Sequence, residues 1–378
     1  LRTAPLALFA LGLAACTASP VADLQPGTRP ALDTDEAGIW MAVDGIEERW
    51  RTSGHRLHDP ALDAYLHRIA CRLSPEHCQG LRVYVMEHPY FNAAMMPNGA
   101  MEVWTGTLLR VADESQLATV IGHELAHFER RHTLQQWRSI RSKATLSQVV
   151  NTVGGGLIGL ATDVALRTSV LAFSREQERE ADALGLARLP AAGYDARDGA
   201  EVWQLVVDED RHIETPAAAV FLSTHPTPAD RLASLQTLAA DLPQPSARPA
   251  EGPGLAEVIA PHRLAWLERE IRRQEPAATA WLLDELFARG PADAQLHFAR
   301  GELLRRSGSA GDREGAVAAY KASVELPDPP TEAWRSLGLM LDQLGRKDEA
   351  RVALATYLRE APDAADAPLI ATMIEGMP

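Results

Sequence analysis

Basic residues are scarce in this chain of 378, where 37 lysines and arginines stand against 51 aspartates and glutamates for a net charge of −14. Such a surface repels a polyanion, so nucleic acid is not an expected partner. Long apolar runs are scarce too. Beyond the N-terminal stretch the most apolar segment is VVNTVGGGLIGLATDVAL, interrupted by Asn151 and Asp163 and loosened by Gly154, Gly155 and Gly156. A membrane-spanning helix takes about 20 consecutive apolar residues, so this segment is expected to be a mobile cover over a cleft rather than a span. Cysteine is the third scarcity, with three in the whole chain.

The first cysteine closes the opening stretch, LRTAPLALFALGLAAC. Arg2 is its one basic residue, and the run of small and apolar residues that follows is too short to cross a bilayer. It has the build of a secretory signal. Leu13, Ala14, Ala15 and Cys16 resemble the bacterial lipoprotein cleavage box. That resemblance implies a signal peptide over 1–15, Cys16 as the lipidated first residue, and outer-membrane delivery given Thr17. Cys71 and Cys78 in CRLSPEHC then form an even pair in an oxidising compartment, and a local disulfide is expected. A metal site using His77 as well would lack a fourth ligand.

Composition divides the remainder. Residues 16–37 are rich in Pro, Thr and Asp and read as a tether, and 241–258, with DLPQPSARPAEGPG, read as a second linker. Between them, 38–240 read as α+β, a mainly helical domain with a small sheet. Ile39, Val43, Ile46 and Trp50 recur at helical spacing, and Asp59 and Pro60 suit the N-cap and first turn of a second helix. LRVYVME alternates as a strand, FNAAMM and AMEVW read as strands joined at Asn98 and Gly99, and Asp113 with Gln116 suits the start of the next helix. Residues 259–378 read as all helical. With Trp334 as position four of a tetratricopeptide repeat, Gly338, Ala350, Leu354 and Pro362 fall at eight, twenty, twenty-four and thirty-two, and Gly301, Leu304, Ala316 and Tyr320 give an upstream copy. Stacked repeats of this kind form a protein-binding groove.

The chemistry concentrates in IGHELAHFERRH. Residues four apart share a helix face, so His123 and His127 can present imidazole nitrogens to one ion with Glu124 beside it. Zinc held by two nitrogens and a carboxylate keeps a place for water, lowers the water pKa from 15.7 to about 7, and polarises a peptide carbonyl. Glu124 is the expected general base and then acid. His132, five residues past His127, is expected to face another side and cap the helix end. The third ligand is sought in FSREQEREADALG: Glu178 can bind zinc while Asp182, one turn on, orients a ligand histidine, with Glu176 and Glu180 on the segment's other sides.

NAAMMPNGAMEVWTG, HELAHFERRH, SREQEREADALG and STHPTPADRL together, in this order across residues 38–240, resemble the zinc peptidase family that contains the CAAX prenyl proteases, HtpX and BepA. The lipoprotein box and repeats are similar to its periplasmic branch. The resemblance implies a gluzincin with one zinc per chain on His123, His127 and Glu178, and Glu124 as base. It also implies that His225 approaches the zinc to hold the enzyme latent or steadies the oxyanion, and Arg231 matches the family's arginine that follows that histidine. Asn92 and the strand Ala100, Met101, Glu102, Val103 and Trp104 match the region where substrate lies as an added strand. The implied protein is a periplasmic, outer-membrane-anchored endopeptidase that degrades misfolded or stalled outer-membrane proteins. Its implied partners are unfolded substrates, the outer-membrane assembly machinery through the repeats, and the membrane through lipid. A chaperone with a self-plugged zinc site is the alternative.

Overall fold

The computed structural model describes residues 24–34, 36–143, 173–214, 225, 229–245, 252–290, 293–307 and 309–377. The signal peptide, Cys16 and the glycine-rich segment lie outside the described residues. Helix α1 (Glu36–Thr52) buries Ile39, Val43, Ile46 and Trp50, the face expected from their spacing. Helix α2 (Pro60–Leu73) starts where Asp59 Oδ1 accepts from the N–H groups of Ala61 and Leu62 at 2.8 and 3.2 Å. A disulfide joins Cys71, in the last turn of α2, to Cys78.

The sheet has three strands, β1 (Arg82–Met86), β2 (Ala93–Met95) and β3 (Ala100–Trp104), in the order β1-β3-β2. β2 and β3 form the expected antiparallel hairpin. Gly99 closes it at φ 90°, where a Cβ would lie 2.5 Å from the Gly80 carbonyl oxygen, so only glycine fits. β1 pairs with β3 in parallel, Arg82 opposite Ala100 through Met86 opposite Trp104. β3 is therefore the middle strand with both edges taken. A peptide cannot be added along Ala100, Met101, Glu102, Val103 and Trp104, contrary to the expectation from family resemblance. Asn92 is engaged as well: its N–H donates to Thr107 Oγ1, and its carbonyl accepts from Thr107 Oγ1 and the Trp104 N–H. β2 carries the other edge. Because Asn92 and Met96 bond toward β3, Ala93 and Met95 turn their backbone groups outward.

Helix α3 (Thr105–Arg110) leads to α4 (Glu114–Glu129), which Asp113 caps by accepting from the Gln116 N–H at 2.9 Å. α4 is buried without a break from Gln116 to Phe128 and forms the axis of the domain. Against it pack α5 (His132–Lys143), α6 (Arg175–Arg188) and α7 (Ala196–Asp210), and α8 (Ala229–Asp241) packs on α6 and α7. α4 and α6 cross at two glycines. A Cβ on Gly185 would meet His123 N at 3.0 Å and Gly122 C at 3.1 Å, both backbone atoms that cannot swing aside.

The expected linker 241–258 runs into α9 (Leu255–Arg272), which is packed rather than tethered. Its Val258, Ile259, Trp266, Leu267 and Ile271 belong to the same apolar cluster as Leu62, Leu117 and Trp203. An ion cluster locks the contact: Arg110 bonds Glu209 at 2.6 Å and Glu270 at 2.9 Å, and Arg273 reaches Glu209 and Glu270 at 2.9 Å each. All four side chains are buried, the arginines to within 1%. The rest of the chain is helical, with α10 (Pro276–Ala288), α11 (Ala294–Ser307), α12 (Ala310–Glu325), α13 (Thr331–Gln343), α14 (Lys347–Glu360) and α15 (Ala367–Glu375). α11 packs on α12 and α13 on α14. Gly301 seats the Tyr320 ring and Gly338 seats Leu354, where any Cβ would clash at 2.4 and 2.6 Å.

Candidate metal centre

One turn of α4 separates His123 from His127, and one turn of α6 separates Glu178 from Asp182. The glycine crossing brings those two faces together. His123 Nε2 and His127 Nε2 lie 3.0 Å apart, and Glu178 oxygens lie 3.6 and 3.5 Å from them. His225 joins from its own segment, with Nδ1 3.0 Å from Glu178 Oε1 and 3.3 Å from His123 Nε2. All four residues are buried, and their ligand-capable atoms lie within 4.8 Å of one another.

Those separations test whether zinc fits. Zinc–ligand bonds of about 2.0–2.1 Å in a tetrahedron require neighbouring donors roughly 3.4 Å apart. The five separations just given, from 3.0 to 3.6 Å, scatter around that edge length. The donor set of three imidazoles and one carboxylate also suits zinc, so the residues fit the ion.

Behind His123, Asp182 Oδ1 lies 3.0 Å from Nδ1, the arrangement that keeps Nε2 bare and aimed inward. Trp203 meets the His123 ring edge-on and Phe173 stacks on His127 at 3.9 Å, which fixes both ring planes. Glu124 is buried beside the cluster. Its Oε2 accepts from the Met95 N–H on β2 at 3.1 Å. Its Oε1 has no hydrogen-bond partner among the described residues and lies 3.7 Å from His225 Nε2. Burial raises the Glu124 pKa above the usual carboxylate value, against the pull of His225 and His123. A buried carboxylate held between the histidine cluster and an edge strand suits proton transfer.

His123, Glu124, His127, Glu178, Asp182 and His225 are thus brought together. The side chain of Arg231, within α8, lies outside the described residues. Glu176 is exposed. His132 was missed as part of the centre. It is buried, its Nδ1 3.0 Å from His127 Nδ1 and its Nε2 3.1 Å from Glu180 Oε2. Burial lowers the His132 pKa, with Glu180 acting against that shift. Phe173 and Trp203 gave no sequence signal as ring supports.

The profile described as Peptidase family M48 matches residues 56–239. A putative beta-barrel assembly-enhancing protease of Vibrio cholerae is 26% identical over 255 residues, covering 61% of this chain and 52% of the relative. The beta-barrel assembly-enhancing protease of Escherichia coli is 27% identical over 205 residues, 50% of this chain and 41% of its own. A mitochondrial metalloendopeptidase of Arabidopsis thaliana is 34% identical over 154 residues, 40% of this chain and 30% of its own. The chain thus spans about half or less of the length of these relatives.

Proposed function

We propose that this chain, whose residues 56–239 belong to peptidase family M48, is a zinc-dependent endopeptidase held latent by His225. The carrying observation is the convergence of His123, His127, Glu178 and His225 at tetrahedral spacing beside Glu124. Zinc held by the first three would supply a polarised water and carbonyl. Glu124 takes the water proton and passes it to the leaving amine, with Oε2 steadied by Met95. His225 at the fourth corner competes with that water. When it leaves, its Nε2 is free to donate to a developing oxyanion. The added substrate strand belongs on β2, whose edge is nearest Glu124.

The substrates in this reading are misfolded or stalled outer-membrane proteins, in keeping with the names of the bacterial relatives. The periplasm suits a chain with a disulfide between Cys71 and Cys78, and no described helix is long and apolar enough to cross a membrane. Lipid at Cys16 is the proposed anchor. The helix pairs α11/α12 and α13/α14, packed at Gly301 and Gly338, are the proposed tetratricopeptide repeats that recruit substrate or the assembly machinery. Relatives named as proteases favour hydrolysis over a purely chaperone role.

The test presents an unfolded outer-membrane barrel protein to wild type, Glu124→Gln and His225→Arg, the last removing the imidazole while keeping N–H donors at that place. Cleavage lost in the first variant and raised in the second supports a gated protease. Zinc bound by all three with cleavage by none favours the chaperone.

A further inference from the structure

Two histidines that face each other through the same kind of nitrogen pose a proton-counting problem. His127 Nδ1 and His132 Nδ1 are 3.0 Å apart, so a single proton lies between them. His127 Nε2 points at the centre, 3.0 Å from His123 Nε2 and 3.5 Å from Glu178 Oε1, and must keep its lone pair bare to hold a cation. The His127 proton therefore sits on Nδ1 and is donated to His132. His132 in turn carries its proton on Nε2 and donates it to Glu180 Oε2 at 3.1 Å, a carboxylate that only accepts. Each hydrogen bond along Glu180, His132 and His127 then has one donor and one acceptor, with His127 Nε2 left bare.

We propose that His132, held by Glu180, is a positioning residue for metal binding that fixes the tautomer and ring plane of His127. The inference rests on the reading of the centre as a zinc site. Asp182 serves His123 directly, whereas on this side the carboxylate acts through an intervening imidazole. The backbone supplies the reason: α4 ends at Glu129, Arg131 takes a left-handed φ of 57°, and α5 restarts at His132 with its ring turned back under His127. Glu180 is on α6, one helical turn C-terminal to Glu176 and on a different face from Glu178. One helix thus supplies a proposed ligand and the distal support of another. Arg130 pairs with Glu180 as well, anchoring that carboxylate from the other side.

The test measures zinc affinity of the full chain by competition with a chelator, together with thermal unfolding of the zinc-free protein. His132→Leu removes the acceptor, and His132→Asn restores a carbonyl oxygen near the place of Nδ1. The expected result is an affinity about 10–100-fold weaker for His132→Leu, the range for lost supports of metal ligands. His132→Asn recovers most of it at equal zinc-free stability. Wild-type affinity in His132→Leu overturns the inference, and so does a His132→Asn variant as weak as His132→Leu, which would mark a packing role only. Should His132→Leu fail to fold, nitrogen-15 spectra of the zinc-bound wild type decide. Protons on His127 Nδ1 and His132 Nε2 support the inference, and a proton on His132 Nδ1 overturns it. A wild type that binds no zinc removes the metal reading itself, a separate outcome.

Discussion

Around Arg110, two guanidiniums and two carboxylates interleave at 2.6 to 2.9 Å, whereas around His123 three imidazoles and one carboxylate converge with no guanidinium among them. Both clusters are buried. The first balances its charge with arginines from the chain; the second is the candidate cation site. Burying charge is costly unless it is matched, so the same burial that locks α9 against α3 and α7 makes the second cluster receptive to an ion. Replacing a member should therefore damage stability in one and ion binding or chemistry in the other.

The largest expected effect is chemical. Glu124→Gln keeps the zinc donors and should lower proteolysis by about 10²–10⁴-fold, the usual range for lost acid–base catalysis. Glu178→Ala should lose the metal as well, which elemental analysis of the purified protein would distinguish. Next comes Arg110→Leu, which leaves two buried carboxylates, Glu209 and Glu270, to share the single charge of Arg273. A loss of about 3–5 kcal/mol in unfolding free energy is expected, with zinc affinity of the folded protein unchanged. If denaturant titration shows little loss while zinc affinity collapses, the contrast between the clusters fails.

Gly185→Ala probes how the two helices are brought together. Its Cβ meets backbone at 3.0 Å, so α4 and α6 must part. Overpacking of this kind costs about 1–3 kcal/mol. Here it should also weaken zinc binding, because Glu178 moves with α6. Equal chelator competition for Gly185→Ala and wild type would show that the crossing does not set the site. The smallest effect is on pH dependence. Burial alone would raise Glu209, but Arg110 and then Arg273 outweigh it and hold the carboxyl below its ordinary value. Its contribution is present above the unfolded pKa of about 4.3 and is lost as pH falls through the lower folded value. Unfolding midpoints of wild type should fall more steeply below that pH than those of Glu209→Gln.

Much of the candidate site was legible because its signals are local. His123 and His127 lie one turn apart, as do Glu178 and Asp182, and Asp59 and Asp113 mark helix starts by side chains that reach only two or three residues. The middle position of β3 was not legible. Two strands that pair along a third leave no mark in its alternation, and the sheet order had to come from space. His132 was missed for another reason. Counting five residues past His127 assumes a helix that continues, and the left-handed turn at Arg131, without a glycine to announce it, re-aims the chain. The Arg110 cluster joins residues 99 and 160 positions apart, beyond any pattern of spacing.

The Met95 amide has a double claim on it. It points out from the edge of β2, where an arriving peptide would seek its first backbone partner, and it is already committed to Glu124 Oε2. A guest strand in register on that edge, which is buried along its length, would have to share or displace this contact. In the proposed reading, docking would tug on the atom pair that steadies Glu124, so the arrival of substrate would be felt at that carboxylate before any bond is strained.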